Sequence, residues 1–100
     1  MSKNKHIGSD MSALFDELGE KEELDLLTRK KMISEQLLQA MQRMRMSKTA
    51  LAEAMNTSRT VIHRLLDPSD ISVTLLTLAK ASKALNLRLE VGFNKSKKAA

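Results

Sequence analysis

The stretch SKTALAEAMNTSRTVIHRLLD, from Ser47 to Asp67, constrains the fold more than any other part of the chain. It reads as two short helices with a break between them. Ser47 can accept a hydrogen bond from a first-turn N–H and so start a helix at Lys48. Leu51, Ala52 and Met55 then fall on its inner side. Asn56 stands where this helix must stop, because Asn tolerates the left-handed conformation that closes a tight turn. Thr57 continues the turn, and Ser58 can cap a second helix, Arg59 to Leu66, whose apolar side is Val61, Ile62, Leu65 and Leu66. That helix ends at Asp67, since the residue before Pro68 is pushed out of helical geometry.

A hairpin of this kind can simply pack, or it can read DNA. A reader needs a small residue where the second helix crosses the first, a left-handed turn residue, apolar locks at fixed offsets and a polar outer face. Ala52 is the small residue and Asn56 the turn, while Leu51, Met55, Ile62 and Leu65 are the locks. The outer face of the second helix offers Arg59, Thr60, His63 and Arg64.

Residues on either side extend the helical pattern. Met11, Leu14, Phe15 and Leu18 recur at helical spacing, with Ser9 or Asp10 to start a short helix and Gly19 to end it. Residues 20–46 hold no Gly or Pro and are rich in strong helix formers. The stripe Ile33, Leu37, Ala40, Met41 and Met44 predicts a long helix through about Arg45. Met32, Met41, Met44 and Met55 read as core filler. After the loop 69–73, Thr74 can cap a last helix with Leu75, Leu78, Ala79, Ser82 and Leu85 on one face, closed by Asn86. The period then changes. Leu87, Leu89, Val91 and Phe93 alternate with Arg88, Glu90 and Gly92, which is the pattern of a half-buried strand. The expected fold is therefore all-α, about five helices with one short C-terminal β-strand.

A lone strand leaves its backbone groups unpaired. One solution is the same strand from a second copy, paired antiparallel about a two-fold axis; the other is an extended tail packed on the helices. The division of the chain follows: a flexible basic tail over 1–8, an acidic amphipathic helical segment over 9–29, a helix-turn-helix domain with its strand over 30–93, and a disordered basic tail over 94–100.

Charge supports two different surfaces. The net charge is +5, which favours an acidic partner and nucleic acid first. Residues 10–27 carry seven acids against one base, whereas residues 32–100 carry eleven bases against five acids. The acidic block reads either as a solvated helix face or as a second docking surface. The chain has no Cys, so it offers no disulfide, thiolate metal site or Cys nucleophile, which fits a reducing cytoplasm. It also shows no apolar run of membrane-spanning length, so no membrane partner is expected.

The hairpin residues resemble the Cro/cI (XRE) family of helix-turn-helix repressors over about residues 30–86. The family pattern Q-x-x-L-A-x-x-x-G-x-S-x-x-x-I-x-x-L is matched at Lys48, Leu51, Ala52, Asn56, Ser58, Ile62 and Leu65. Lys48 stands for the usual Gln, which turns an amide contact into a point-charge contact, and Asn56 stands for the usual Gly. The phrase LLDPSDISVTLLTLAKASKAL followed by LRLEVGF looks like small HigA- and HipB-like antitoxins of that family.

The resemblance implies a lambda-repressor-like bundle, a homodimer and a near-palindromic double-stranded DNA operator. It places the helix from Arg59 in the major groove, with Arg59, Thr60, His63 and Arg64 at base edges. Arg45, Ser47, Lys48 and Ser58 are then suited to phosphates. It implies strand pairing across the dimer through Leu87, Leu89, Val91 and Phe93. It also implies a RelE/HigB-type toxin as partner, with Met11, Leu14, Phe15 and Leu18 as contacts.

No enzyme is expected. The two His residues, His6 and His63, have no metal-ligand spacing, and three glycines form no phosphate loop. No metal or cofactor is expected either. Three functions follow in order: an autoregulating antitoxin and repressor, a stand-alone phage-type repressor, and a protein-interaction adaptor without an operator.

Overall fold

The computed structural model describes residues 19–95. Their regular structure is helical: α1 Glu20–Arg43, α2 Lys48–Ala54, α3 Arg59–Leu66 and α4 Leu75–Ala84. The basic tail 1–8, the stripe Met11, Leu14, Phe15 and Leu18, and the last five residues lie outside the described residues.

Local chemistry sets each boundary. α1 opens on Glu20, Glu22 and Glu23 and closes near Arg43, both favourable to the helix dipole. It runs unbroken across residues 29 and 30, so the boundary expected there falls inside a single helix. Ser47 Oγ accepts from the Ala50 N–H at 3.0 Å, Ser58 Oγ from Val61 at 3.2 Å and Thr74 Oγ1 from Thr77 at 3.2 Å. Each supplies an acceptor to a helix start that has none of its own.

Three helices end in the same way. Arg45, Asn56 and Asn86 take positive φ values of 52°, 55° and 58°. The next residue then donates back over five positions: Met46 to the Met41 carbonyl, Thr57 to Ala52 and Leu87 to Ser82. This closes the last carbonyls of the helix. Asn is a common occupant of such a position; Arg45 is not, and its left-handed backbone costs about 1–2 kcal/mol.

α2 packs on α3, α1 on α3, and α2 on α4. The core between them is Leu37, Ala40, Met41, Leu51, Ala52, Met55, Ile62, Leu65, Leu66, Ala81 and Leu85. The hairpin locks Leu51, Met55, Ile62 and Leu65 are all buried in it, as is the small residue Ala52.

Several expectations are corrected. α1 stops at Arg43, two residues early, and Met44 stays exposed beyond its end. Met32 is likewise outward, so only Met41 and Met55 of the four methionines fill core. On α4 and its C-cap the inward row is Leu78, Ala81, Ser82 and Leu85; Leu75 and Ala79 are exposed.

Residues 87–93 form no strand, and none occurs elsewhere among the described residues. An edge with no neighbouring strand has nothing to pair with. Leu87 packs against the core, Leu89 and Val91 are exposed, and Phe93 is fully so. No described helix is long and apolar enough to cross a membrane.

Candidate nucleic-acid interface

The outer face of α3 is built by exclusion. Ile62, Leu65 and Leu66 turn one side of an eight-residue helix into the core, with Val61 half-buried beside them. What remains outside is Arg59, Thr60, His63 and Arg64, all exposed. Arg59 and Thr60 occupy the first turn, directly after the Ser58 cap, where no acidic residue intervenes. That end of the helix is the positive end of its dipole.

Arg45, Ser47 and Lys48 follow one another around the turn from α1 to α2, and all are exposed. Ser47 and Ser58 each use their hydroxyl oxygen as an acceptor for the cap, which leaves the hydroxyl proton to donate outward. Chemically, the turn from α1 to α2 and the start of α3 each offer cations and hydroxyl donors, with nothing anionic among these residues. Such a set suits phosphates and base edges.

Arg64 differs from its three neighbours. Its Nε donates to Asp70 Oδ2 at 3.1 Å, and its Nη2 donates to Ser72 Oγ at 2.9 Å. The guanidinium is thus engaged with the loop after α3. Asp70 also accepts from the Ser72 N–H at 2.9 Å, and Asp67 accepts from the Ser69 N–H at 2.9 Å and its hydroxyl at 2.8 Å. Each aspartate therefore bonds its own backbone two residues on, which fixes the loop.

Lys30 escapes sequence reasoning altogether. It lies on α1 and is 2% exposed. Its ammonium donates to the main-chain oxygen of Arg64 at 3.2 Å and of Asp67 at 2.6 Å. These carbonyls lie at and just past the end of α3, where the helix itself supplies no further donors, and each also accepts from the loop backbone. A Lys in a charged helix carries no sequence mark of burial; the one available signal is that it precedes Ile33, Ser34 and Leu37 on the inward row.

The protonation of the group follows from this placement. Burial pushes the Lys30 ammonium below its ordinary value, partly offset by the Asp70 and Asp67 carboxylates. The N–H and hydroxyl of Ser69 hold the Asp67 carboxyl below the usual carboxylate range. Burial pushes the Asp70 carboxyl up, but the bonds from Ser72 and Arg64 outweigh it and hold it down.

No protein-family model matches the chain, and no curated protein or solved structure matches it.

Proposed function

We propose that this chain is a sequence-specific DNA-binding repressor of the helix-turn-helix kind. The observation that carries the reading is α3 itself: its inner side is core and its outer side is polar and cationic, with Arg59 and Thr60 unburied at its start. In this reading α3 enters the major groove. Arg59 grips a guanine through two hydrogen bonds, Thr60 meets a neighbouring base, and His63 lies beside them. Arg45, Ser47, Lys48 and Ser58 hold phosphates and fix the register. Arg64 in this reading reaches a base edge by exchanging its bonds to Asp70 and Ser72, and until then holds the helix to its loop.

The lambda-repressor-like fold and the dimer belong to the same reading. The apolar residues Leu89, Val91 and Phe93 stand exposed on a segment with no strand beside it, which supports pairing with the same segment of a second copy. Two copies of α3 would then sit about 34 Å apart on one face of a near-palindrome. The antitoxin role, with a RelE/HigB-type toxin docked on the acidic N-terminal segment, rests on the resemblance and the charge asymmetry alone.

The test is selection of a duplex from a random-sequence library, followed by gel shifts at two salt concentrations for wild type and Arg59→Ala. Selective binding by the wild type, weakened about tenfold or more in Arg59→Ala with the melting temperature unchanged, is expected from the loss of one bidentate base contact. Enrichment of no sequence, or a variant that binds like wild type, would remove α3 as the reader.

A further inference from the structure

Lys30 is the one buried charge among the described residues, and it bonds the end of α3 away from Arg59 and Thr60. Burying an ammonium is costly, and a Met of similar length would fill the same space without that penalty. The ammonium adds something a Met lacks, which is direction. Bonds to the Arg64 and Asp67 carbonyls fix the end of α3 at one height along α1.

Both carbonyls are also tied into the loop backbone. The Asp67 N–H donates to the Arg64 oxygen at 3.3 Å, and the Asp70 N–H donates to the Asp67 oxygen at 3.1 Å. From the solvent side, Asp70 and Ser72 accept from the Arg64 guanidinium. Residue 64 is therefore held by its carbonyl from α1 and by its side chain from the loop.

Arg59 lies five residues earlier, about 7 Å along the axis. A helix this short moves as a rod, so a shift at its C-terminal end becomes a shift at Arg59 and Thr60. Base recognition needs side chains held to within about 0.5 Å.

We propose that Lys30, together with the hold of Asp70 and Ser72 on Arg64, is a clasp that positions α3 for base reading and so sets sequence discrimination. Lys30 is a positioning residue and touches no DNA. The inference rests on the reading of α3 as the DNA-contacting helix.

The experiment uses the full chain and a duplex enriched by the wild-type protein from a random-sequence library, beside a scrambled duplex of equal length and composition. Fluorescence anisotropy gives the affinity for both with wild type, Lys30→Met and Lys30→Arg, at a temperature where circular dichroism shows each to be folded. Lys30→Met is expected to lose about tenfold in the ratio of the two affinities, the scale of one lost base contact. Its affinity for the scrambled duplex stays within about twofold, because the exposed cations are untouched. Lys30→Arg, which keeps charge and donors, recovers part of the ratio.

A side chain that served stability alone would lower the melting temperature and leave the ratio where it was, and that result overturns the proposal. Should Lys30→Met not fold, Asp70→Asn loosens the clasp from its solvent side: a lowered ratio supports the clasp, and an unchanged one overturns it. A wild-type chain that enriches no sequence at all defeats the DNA reading, and the clasp with it. That failure appears in the wild type, whereas failure of the clasp alone appears only in the variants.

Discussion

The two ends of α3 are held in opposite ways. At its start, Arg59 and Thr60 stand in solvent, and the Ser58 cap fixes the backbone behind them. At its finish, Leu65 and Leu66 are buried, Lys30 grips the last carbonyls, and Asp70 and Ser72 bind the Arg64 guanidinium. In the proposed reading α3 delivers Arg59 and Thr60 to DNA, so the helix must be rigid while its first turn stays uncovered. Anchoring the far end meets both demands. It also explains how eight residues, too few to be helical alone, can act as a fixed element.

The sharpest way to break this contrast is to truncate one residue at each end and compare stability. Leu65 is 1% exposed, and Leu65→Ala is expected to cost about 2–5 kcal/mol through lost burial and the cavity left behind. Arg59→Ala, a turn and a half away, is expected to stay within about 0.5 kcal/mol. Urea unfolding of both variants, read by circular dichroism, measures the difference. Similar costs at the two ends would mean that α3 is not anchored at one of them.

The free end was far more legible in the sequence than the anchored one. Ser47, Ser58 and Thr74 could be identified as caps because a capping bond spans three residues, and a short window shows it. Asn56 and Asn86 could be read as turn residues because their left-handed preference is intrinsic. The inner faces of α2 and α3 followed from period alone. Arg45 could not be read as a turn residue, since nothing in an Arg side chain favours positive φ, yet it takes the left-handed position that lets the Met46 N–H bond the Met41 carbonyl beyond the end of α1.

Lys30 was illegible for a related reason. Its partners lie 34 and 37 positions away, and they are backbone oxygens, which leave no mark on the sequence. Arg64 reads as an outward cation from its place on the helix, and its engagement by Asp70 depends on how the loop after Pro68 turns back. On α4 Leu75 and Ala79 share a side one turn apart and both are exposed, while Leu78, Ala81, Ser82 and Leu85 turn inward; periodicity groups residues on a side but does not fix which edge of the stripe faces the core. The alternation after Asn86 is visible in the sequence, yet pairing is a property of two segments, and the described residues contain only one.

Acid sharpens the contrast more gently. Asp67 and Asp70 both have carboxyls held below their ordinary value in the folded chain, and both lie at the anchored end. The first turn of α3 carries no acidic residue. Between the ordinary carboxylate value near 4 and the lower folded value, the unfolded chain binds more protons than the folded one. The stability these groups contribute is therefore complete above about pH 4 and is lost as pH falls through their folded values. Urea midpoints for wild type and Asp70→Asn at pH 7, 4 and 3 test this. The wild type is expected to fall more steeply below pH 4 than the variant, and parallel curves would show that the Asp70 bonds contribute nothing to the anchor.

The smallest expected effect sits one turn from Lys30 on the same wall of α1. Ser34 is 2% exposed, and its hydroxyl has no hydrogen-bond partner among the described residues. Two polar side chains thus face the interior side by side, Lys30 with two acceptors and Ser34 with none. An unsatisfied buried hydroxyl costs about 1–3 kcal/mol, and Ala is also the better helix former. Ser34→Ala is therefore expected to raise stability by about 0.5–1 kcal/mol while leaving the ratio of selected to scrambled duplex affinity unchanged. A thermal melt and the anisotropy assay read the two quantities. Loss of stability in Ser34→Ala would mean that the hydroxyl is bonded in solution, as helical hydroxyls can be to the carbonyl one turn back. Ser34 would then steady the stretch of α1 that carries Lys30, and in the proposed reading discrimination would be expected to fall along with stability.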